Sequence, residues 1–472
     1  MAQNNIGIHK KNKETGIIWL GKVPSHWTVL PGKACFTEKK ISNKGMVETK
    51  VLSLSYGNLV VKPEDKLHGL VPESFETYQI VEPGDIIFRT TDLQNDWNSL
   101  RFGISRHKGI ITSAYMCLRT KPSLIDDYGH QLLHSYDLKK IFYGMGSGLR
   151  QNIDWRDIKY LPCLVPPLEE QNAIVRFLDY TDRRIKRYIR AKQKLIKLLE
   201  EEKQAIIHQA VTRGLNPDVP MKPSGVEWLG DIPKHWEAIK LKNVTNIKFS
   251  NVDKHVLENE FPVRLCNYVD VYKNDRITDD IQFMKASATK EEIKQNKIEI
   301  DDVLITKDSE MWNDIGVPTL VQCSAPDLIC GYHLAILRPN KSKIQGIFLF
   351  SCLSSKKVVI QFHINANGIT RYGLSQNSIK NVIIPLPQID EQLMISKFID
   401  EKLGSINKKI NEISREIILI KEYSTRLIAD VVTGKLDVRA VASQLPEDIE
   451  EEEIDIDDEP EEDDELEEAL EP

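Results

Sequence analysis

Basic side chains follow strand-like segments at two places in the chain, where they could bind a ligand. Arg89 follows the apolar run 86–88 and opens a polar loop that contains a tryptophan. Lys307 follows the run 304–305 at the equivalent place and opens a similar loop. Loops at strand ends often carry binding residues, and arginine can form paired hydrogen bonds with guanine or phosphate. The candidates in these loops are Arg89, Thr90, Asn95, Trp97, Lys307, Trp312 and Asn313.

A second set of candidates lies in two glycine-rich turns that match each other at a shift of 221 residues. These turns contribute Arg150, Gln151, Arg371 and Tyr372. For each basic side chain, the alternative to a binding role is a solvated charge or a structural salt bridge. The sequence therefore supplies candidate binding groups and leaves both interpretations open.

Catalytic motifs are missing. The sequence has no Gly-x-x-x-x-Gly-Lys-Ser/Thr phosphate loop, and no Asn/Asp-Pro-Pro-Phe/Tyr tetrapeptide of an amino-methyltransferase. Glu-x-Lys triplets, which could suggest a nuclease, are expected by chance among 63 basic and 70 acidic residues. The seven cysteines have no ligand spacing, so we expect buried free thiols and no metal site.

The formal net charge of −7 averages two unlike parts of the chain. No lysine or arginine follows Arg439, and most residues from 447 to 471 are acidic. The rest of the chain therefore has a surplus of basic residues, which is compatible with binding a polyanion. The acidic segment 446–472 is predicted to be disordered. No long apolar run or secretory segment is present, so we expect a cytoplasmic protein that does not associate with a membrane.

The candidate residues lie between motifs that occur twice in the sequence. The Trp-Leu-Gly, Pro and His-Trp pattern of 16–27 returns in 225–236, and the Glu-Gln pair at 170–171 returns at 391–392. The segments between these matches differ. We therefore predict two tandem domains of mixed α/β fold that share a frame and carry different recognition surfaces.

A proline-rich stop and then a proline-free helical stretch follow each domain. Apolar residues recur there at alternating steps of four and three, which is the pattern of a coiled coil. This seam contains Ile174, Leu178, Ile185, Leu195 and Leu199 in the first stretch, and Ile395, Ile399, Ile406, Ile413 and Ile420 in the second. We predict that the two helices pack together as an antiparallel coiled coil. The alternative is that each helix packs on its own domain.

The sequence thus divides into eight segments. They are an N-terminal extension (1–15), a first domain (16–168), a first long helix (169–212), a linker (213–224), a second domain (225–389), a second long helix (390–433), a C-terminal segment (434–445) and the acidic tail (446–472).

These motifs, in this order and given twice, resemble the specificity subunit of type I restriction–modification systems. The resemblance covers residues from about 16 to 440 and leaves out the acidic tail. It implies two target recognition domains that each read half of a split DNA sequence, held apart by the antiparallel coiled coil. It also implies a prokaryotic chain that is not an enzyme.

The resemblance assigns the chemistry to partners. Two modification subunits on the coil would supply S-adenosylmethionine-dependent adenine methylation, and restriction subunits would supply ATP- and Mg²⁺-dependent translocation and cleavage. This chain would bind no cofactor. Because the two domain interiors differ, the two halves of the DNA target should differ as well. The alternatives are a coiled-coil scaffold that binds proteins through its repeated domains, or a self-sufficient methyltransferase or nuclease.

Overall fold

The computed structural model describes residues 6–55, 57–63, 74–91, 93, 96, 100–145 and 152–446. The chain forms two compact units. Unit 1 comprises residues 1–190 and 417–472, and unit 2 comprises residues 191–416. Each unit therefore contains one of the two repeated domains together with a part of each long helix. The predicted acidic tail lies outside the described residues, apart from Pro446.

Unit 1 contains short strands and short helices in addition to its parts of the long helices. Its strands are Asn12–Glu14, Lys22–Pro24, Thr28–Pro31, Phe36–Lys39, Leu52–Ser55, Asn58–Val61, Gln79–Val81, Ile86–Phe88, Phe102–Ile104, Gly109–Ile111, Met116–Thr120 and Pro162–Val165. Its short helices are Gly32–Cys35, Phe75–Thr77, Asp126–Leu138, Ile141–Gly144, Trp155–Ile158 and Arg439–Ala442.

The main sheet of unit 1 has four antiparallel strands. Their order is Phe36–Lys39, Met116–Thr120, Ile86–Phe88 and Phe102–Ile104. The helix Asp126–Leu138 packs beside this sheet, and its buried apolar side chains join one hydrophobic core with the strands. The sheet therefore fixes where the strand Ile86–Phe88 ends and where the candidate loop begins.

Unit 2 is built in the same way with additional strands. Its strands are Met221–Pro223, Asp231–Pro233, Glu237–Lys240, Thr245–Phe249, Phe261–Cys266, Arg276–Ile277, Met284–Ala288, Val303–Thr306, Asp308–Ser309, Pro318–Val321, Leu328–Cys330, Leu334–Pro339, Asn367–Gly368, Tyr372–Gly373 and Ile383–Leu386. Its short helices are Leu241–Asn243, Tyr268–Lys273, Lys290–Asn296, Gly346–Leu353, Lys356–Ile364 and Gln376–Asn381.

The main sheet of unit 2 has five strands. Its order is Thr245–Phe249, Leu334–Pro339, Val303–Thr306, Pro318–Val321 and Arg276–Ile277. The first four strands are the counterparts of the unit 1 sheet and have the same order. Together with the long helices, this repeated arrangement confirms the predicted mixed α/β class with two tandem domains.

A buried carboxylate at the start of the central strand fixes the correspondence between the sheets. Asp85 accepts hydrogen bonds from Lys39 at 2.7 Å and from Arg119 at 2.6 Å. Asp302 accepts hydrogen bonds from Arg338 at 2.8 and 2.7 Å. Although the sequences around Asp85 and Asp302 match only loosely, both units therefore contain the same structural ion pair at this place.

This correspondence corrects one sequence-based alignment. The backbone N–H of Arg89 donates to Arg101, just as the N–H of Thr306 donates to Val317. Arg89 therefore corresponds to Thr306, and Lys307 corresponds to Thr90 rather than to Arg89. Side chains alternate between the two faces of a strand, so an offset of one residue reverses the direction of a side chain.

The long helices are Leu168–Arg213 and Ile389–Val432. In unit 2, Lys192 forms an ion pair with Glu416 at 2.9 Å, whereas the Ile207 region shares a core with the Ile395 region. Residue numbers thus rise along one helix and fall along the other, so the helix segments of unit 2 are antiparallel. In unit 1, the start of the first helix shares a core with the end of the second helix.

Most residues of the predicted seam point inward. Six of them are buried, namely Ile174, Leu178, Leu199, Ile395, Ile399 and Ile406. Ile185, Ile413 and Ile420 are partly buried. Leu195 differs, because 39% of its surface is exposed. An exact seven-residue repeat drifts around a straight helix, which explains why one position of the seam can turn outward.

The remaining buried groups agree with simple expectations for a packed interior. All seven cysteines are buried free thiols, as predicted.

Among the described helices, no single one is long and apolar enough to span a membrane. Gly346–Leu353 and Lys356–Ile364 meet those criteria of length and composition only when they are taken together as a pair bent by 71°.

Candidate nucleic-acid interface

Three of the candidates in unit 2 lie together in a small three-stranded sheet. Asp308–Ser309 pairs with Tyr372–Gly373, which in turn pairs with Asn367–Gly368. The N–H of Leu374 also donates to the backbone oxygen of Lys307 at 2.8 Å. The structure therefore brings Lys307, Arg371 and Tyr372 together, although they are far apart in the sequence.

The turn that presents Arg371 depends on a glycine. A Cβ atom at Gly368 would lie 1.9 Å from the backbone oxygen of Arg371, so no larger residue fits without a shift of the backbone. The side chain of Arg371 is exposed at this turn, and Ile369 beside it is almost fully exposed. The hairpin thus holds an arginine outward on a short, closely packed turn.

Lys307 has different surroundings from Arg371. Only 8% of its surface is exposed, and its ammonium group donates to Asp308 Oδ2 at 2.8 Å. It also lies over the rings of Tyr332 and Phe249, at 4.6 and 5.7 Å from their centroids. His333 Nδ1 is 2.9 Å from the same Asp308 oxygen. This geometry matches the structural salt bridge that the sequence analysis left open for Lys307.

The ion pair also changes the protonation of Asp308. Burial acts against the charged carboxylate, but the hydrogen bonds from Lys307 and His333 outweigh burial and lower the pKa of Asp308. The carboxylate therefore stays charged near neutral pH and holds Lys307 in place.

Unit 2 also has aromatic side chains that reach solvent, and the charge of Arg371 acts on one of them, the partly exposed Tyr268. Tyr268 and Tyr272 stack at 5.5 Å on the helix Tyr268–Lys273, and Trp312 and Asn313 are exposed in the loop after Lys307. We call Tyr268, Tyr272, Trp312, Asn313 and Arg371 the Arg371 surface. Aromatic rings can stack on bases, and arginine can bind phosphate or guanine.

Hydrogen bonds hold two members of this surface, Tyr268 and Tyr272, against neighbouring residues. The hydroxyl of Tyr272 donates to Asp314 at 2.8 Å, close to Trp312 in the sequence. Burial raises the pKa of Tyr268, while a hydrogen bond with Ser309 and the positive charge of Arg371 act in the opposite direction. The helix itself starts in a capping box formed by Asn267 and Asp270. The surface is therefore built on ordered elements.

In unit 1, the candidate loop is organised by a buried arginine. Arg101 donates to the backbone oxygens of Thr91 at 2.8 Å and Asp96 at 2.7 Å. Arg89 is partly exposed and forms an ion pair with Asp96 at 3.1 Å. Thr90 is buried, and its backbone oxygen accepts from Ile153 at 3.0 Å. The ion pair with Asp96 therefore holds Arg89 beside the loop, and Thr90 is a buried structural residue at the start of the loop.

The remaining predicted residues of unit 1 are not described by the structure. Asn95, Trp97, Arg150 and Gln151 lie outside the described residues. Among the described residues, the backbone N–H of Ile153 donates to Thr90 as the N–H of Leu374 donates to Lys307. The role in binding of the four residues that are not described stays a prediction.

Tyr268, Tyr272 and Arg101 are not among the residues predicted from the sequence. The capping box at Asn267 and Asp270 was a readable signal for a helix, and the four-residue spacing of the tyrosines then places both on one face. Arg101 has no comparable signal, because its contacts are backbone oxygens of a loop whose path the sequence does not reveal.

The repeated Glu-Gln pair positions the domain on the long helix. Gln171 donates to Ser123 and Pro166 at 2.9 Å each and accepts from Ile125 at 3.0 Å. Gln392 makes the matching three hydrogen bonds in unit 2. The repeated residues thus hold the frame together.

The repeated His-Trp pair meets the glutamate that precedes this glutamine. His26 lies 2.7 Å from Glu170, and His235 lies 2.9 Å from Glu391. The neighbouring tryptophans, Trp27 and Trp236, are fully buried. The residues that recur in the sequence are therefore mainly structural, and the exposed candidates lie between them.

Comparison with known proteins places this architecture. Residues 233–415 match the family model described as type I restriction modification DNA specificity domain. A putative type I restriction enzyme MjaX specificity subunit of Methanocaldococcus jannaschii is 22% identical over 435 residues, which is 89% of this chain and 96% of the relative. The MjaVIII specificity subunit of the same organism is 24% identical over 75% of this chain and 81% of the relative.

A solved structure supports the same fold. It comes from work on complex assembly and conformational transition of the type I R-M system, and it has a TM-score of 0.65 with 15% identity. The match covers 87% of this chain and 98% of that chain. With the repeated domains, the paired long helices and the matching family model, these similarities give one conclusion. The chain is similar, over most of its length, to type I restriction enzyme specificity subunits, and its residues 233–415 match the DNA specificity domain model of that family.

Proposed function

We propose that this chain is the non-catalytic DNA-recognition subunit of a type I restriction–modification complex. In this proposal, each of the two repeated domains reads one half of a bipartite DNA target. The halves differ in sequence, because the two domains present different side chains at equivalent strand ends. The chain directs partner subunits to the site and carries out no chemical step itself.

The Arg371 surface is the observation that carries this proposal. It combines an exposed arginine with exposed Trp312 and a pair of stacked tyrosines, within the segment that matches the DNA specificity family model. Arginine and asparagine side chains read base edges in the major groove, and arginine also binds phosphates. The surface therefore offers groups for both positioning and base recognition.

Unit 1 supports a second, different reader. At the position of Lys307 it has the buried Thr90, and its cation is the partly exposed Arg89, one residue earlier, which pairs with Asp96. The cation thus leaves the strand on the opposite face in unit 1. Domains with the same sheet but different groups at its edge suit two unlike half-sites.

The partners and their cofactors follow from this role. Two modification subunits would bind S-adenosylmethionine and methylate adenine, and restriction subunits would use ATP and Mg²⁺. The long helices offer surface for such partners, because several of their large apolar residues are exposed. These residues are Leu168, Leu195, Leu198, Leu393, Met394, Ile418, Leu419 and Tyr423.

Mapping of methylated sites tests the proposal directly. DNA from the source strain with and without this gene should differ in methylation at one asymmetric motif made of two parts with an unspecific spacer. A single continuous short motif that depends on this gene would contradict the model of two readers.

Substitution of Arg371 sharpens the test. Arg371→Met should weaken binding of the assembled complex to its target by about 1–3 kcal/mol and relax one half of the methylated motif. The other half should be unchanged, because unit 1 is intact. If methylation and affinity are both unchanged, the Arg371 surface does not read DNA.

Lys357→Met is a matched control for this test. It removes the same charge from the same unit, but Lys357 lies beside the long helix, since the N–H of Lys356 donates to Gln204 at 3.1 Å. We expect the methylated motif of this variant to be that of the unsubstituted protein.

A further inference from the structure

One group of side chains in unit 1 has the composition of a metal site and no part in the proposed DNA recognition. His9, His26 and Glu170 each offer one ligand atom, and these atoms all lie within 4.8 Å of one another. Two imidazoles and a carboxylate form a ligand set that Zn²⁺ and related divalent ions accept. The three residues come from the N-terminal segment, the repeated His-Trp motif and the start of the first long helix.

The distances suit a divalent transition metal ion. His26 Nε2 is 2.7 Å from Glu170 Oε2, and His9 Nε2 is 3.5 Å from Glu170 Oε1. Ligands bonded at about 2.0–2.2 Å to one tetrahedral ion are about 3.3–3.5 Å apart. The His26 separation is shorter than this range and the His9 separation lies at its upper end, each to a different oxygen of Glu170. Small movements of the side chains would therefore complete the site.

A second carboxylate supports the buried histidine from behind. Asp437 Oδ2 lies 3.9 Å from His9 Nδ1, the ring nitrogen on the other side from Glu170. Metal-bound histidines commonly direct their second nitrogen to a carboxylate, which orients the ring. Arg439 fixes Asp437 through hydrogen bonds of 2.9 and 2.7 Å.

The equivalent place in unit 2 lacks this arrangement. His235 still lies 2.9 Å from Glu391, but the indole N–H of Trp236 donates to the same carboxylate oxygen at 3.0 Å. At the shift of 209 residues, the position of His9 is occupied by Asp218, which is exposed. In unit 1 the glutamate faces two histidines, and the indole N–H of Trp27 makes no hydrogen bond among the described residues.

We propose that His9, His26 and Glu170 bind one Zn²⁺ ion in unit 1. The partly exposed His26 leaves room for water as the fourth ligand. Arg439 Nη1 is 4.0 Å from Glu170 Oε2, and its side chain is half exposed. The ion ties the N-terminal segment to the long helix, and unit 2 has no such tie.

Cobalt titration of the full-length chain tests the site. After removal of metal with a chelator, Co²⁺ should bind with a stoichiometry of one and give the intense visible absorption of a nitrogen-ligated, low-coordinate ion. Added Zn²⁺ should abolish this absorption. Weak absorption typical of oxygen-ligated Co²⁺, as from the acidic residues 447–471, would count against the proposal.

Single substitutions assign the ligands. His26→Gln should weaken Zn²⁺ binding about 100-fold or more, and Asp437→Asn should weaken it about 10-fold. His235→Gln is the matched control, because it removes the equivalent histidine of unit 2 and should leave Zn²⁺ affinity unchanged. Circular dichroism identifies any variant that fails to fold, and His26 is exposed enough for replacement by glutamine to be tolerated.

The outcome distinguishes the alternatives plainly. If the chain binds no Zn²⁺ at millimolar concentration, or if His26→Gln and His235→Gln bind it equally, the proposed site does not exist. If Zn²⁺ binds as expected, tryptic cleavage after Lys10, Lys11 and Lys13 should also become slower in the unsubstituted protein and not in His26→Gln.

Discussion

Unit 1 and unit 2 each contain a sheet with the same order of strands, and the two sheets differ in the residues at the ends of their strands. Both contain the buried pair of an aspartate with an arginine, Asp85 with Arg119 and Asp302 with Arg338. At the end of the central strand, unit 1 has Arg89 followed by Thr90. At the same place, unit 2 has Thr306 followed by the buried Lys307. Buried contacts were thus retained in the duplicated frame, and the exposed groups that could meet a ligand were not.

The repeated glutamates show that even the frame has diverged. Glu391 accepts hydrogen bonds from both His235 and Trp236, whereas Glu170 faces His26 and His9. A carboxylate that binds an indole N–H contributes to stability alone. A carboxylate that faces two imidazoles can also bind a metal ion. A motif that is repeated within one chain can therefore have different chemical properties in its two copies.

The largest expected effects come from the buried carboxylates of the frame. Asp85→Ala removes the buried carboxylate partner of Lys39 and Arg119 and leaves them only the half-exposed Glu82. Asp302→Ala removes the buried partner of Arg338 in the same way and leaves it the half-exposed Glu299. Loss of one partner of a buried ion pair costs about 3–5 kcal/mol. Chemical unfolding should show a similar loss for both variants, and hydrogen exchange should assign each loss to its own unit.

A surface pair provides the control for these variants. Asp253 is exposed and lies 3.0 Å from His255, so Asp253→Ala should leave the free energy of unfolding almost unchanged. If Asp85→Ala and Asp302→Ala differ strongly from each other, the two sheets are not stabilised in the same way, and the comparison of the units as copies of one frame fails.

The buried tryptophans should respond unequally to the same substitution. Trp236→Phe removes a hydrogen bond to the charged Glu391, whereas Trp27→Phe removes an N–H that has no partner among the described residues. The loss of side-chain volume is the same in both. A hydrogen bond to a charged group contributes about 1.5–3 kcal/mol, so Trp236→Phe should destabilise the protein by that much more. Equal losses in urea unfolding would contradict the structural difference.

Acid should destabilise unit 1 through a feature that unit 2 lacks. Burial lowers the pKa of His130 to about 3 and that of His134 to about 4, and the two rings stack at 5.9 Å. The corresponding helix of unit 2, Gly346–Leu353, contains no histidine. Each histidine protonates near pH 6.5 in the unfolded chain but stays neutral in the folded protein. Stability therefore falls as the pH drops below about 6.5.

His130→Asn should remove part of this acid sensitivity. The asparagine amide can take the place of the ring nitrogen that bonds to the backbone of Phe102, but it does not titrate. Between pH 7.5 and pH 5, the variant should lose about 2 kcal/mol less stability than the unsubstituted protein. Urea unfolding at both pH values measures this difference, and parallel losses in the two proteins would show that His130 does not titrate as described.

The sequence predicted the frame better than the recognition surface. Its repeats, the apolar spacing of the helices and the proline stops depend on local patterns, and the structure agrees with them. The offset between Arg89 and Lys307 was missed because an alignment of loops does not reveal the register of a sheet. Arg101 was missed because it bonds to loop backbone, and Tyr268 because only the folded chain brings it close to Arg371.

The last prediction separates the two basic residues that the sequence treated alike. Lys307 is caged by Asp308 and Tyr332, so its charge is already neutralised inside the protein, whereas Arg371 is exposed. Release of counterions from DNA depends on the charges that actually reach phosphates. Lys307→Met should therefore leave the salt dependence of DNA binding unchanged, while Arg371→Met should reduce the slope of log affinity against log salt by about 1. If Lys307→Met reduces the slope as well, Lys307 must leave its contacts with Asp308 and Tyr332 to bind DNA. The distinction between buried structural residues and exposed recognition residues would then not hold at this position.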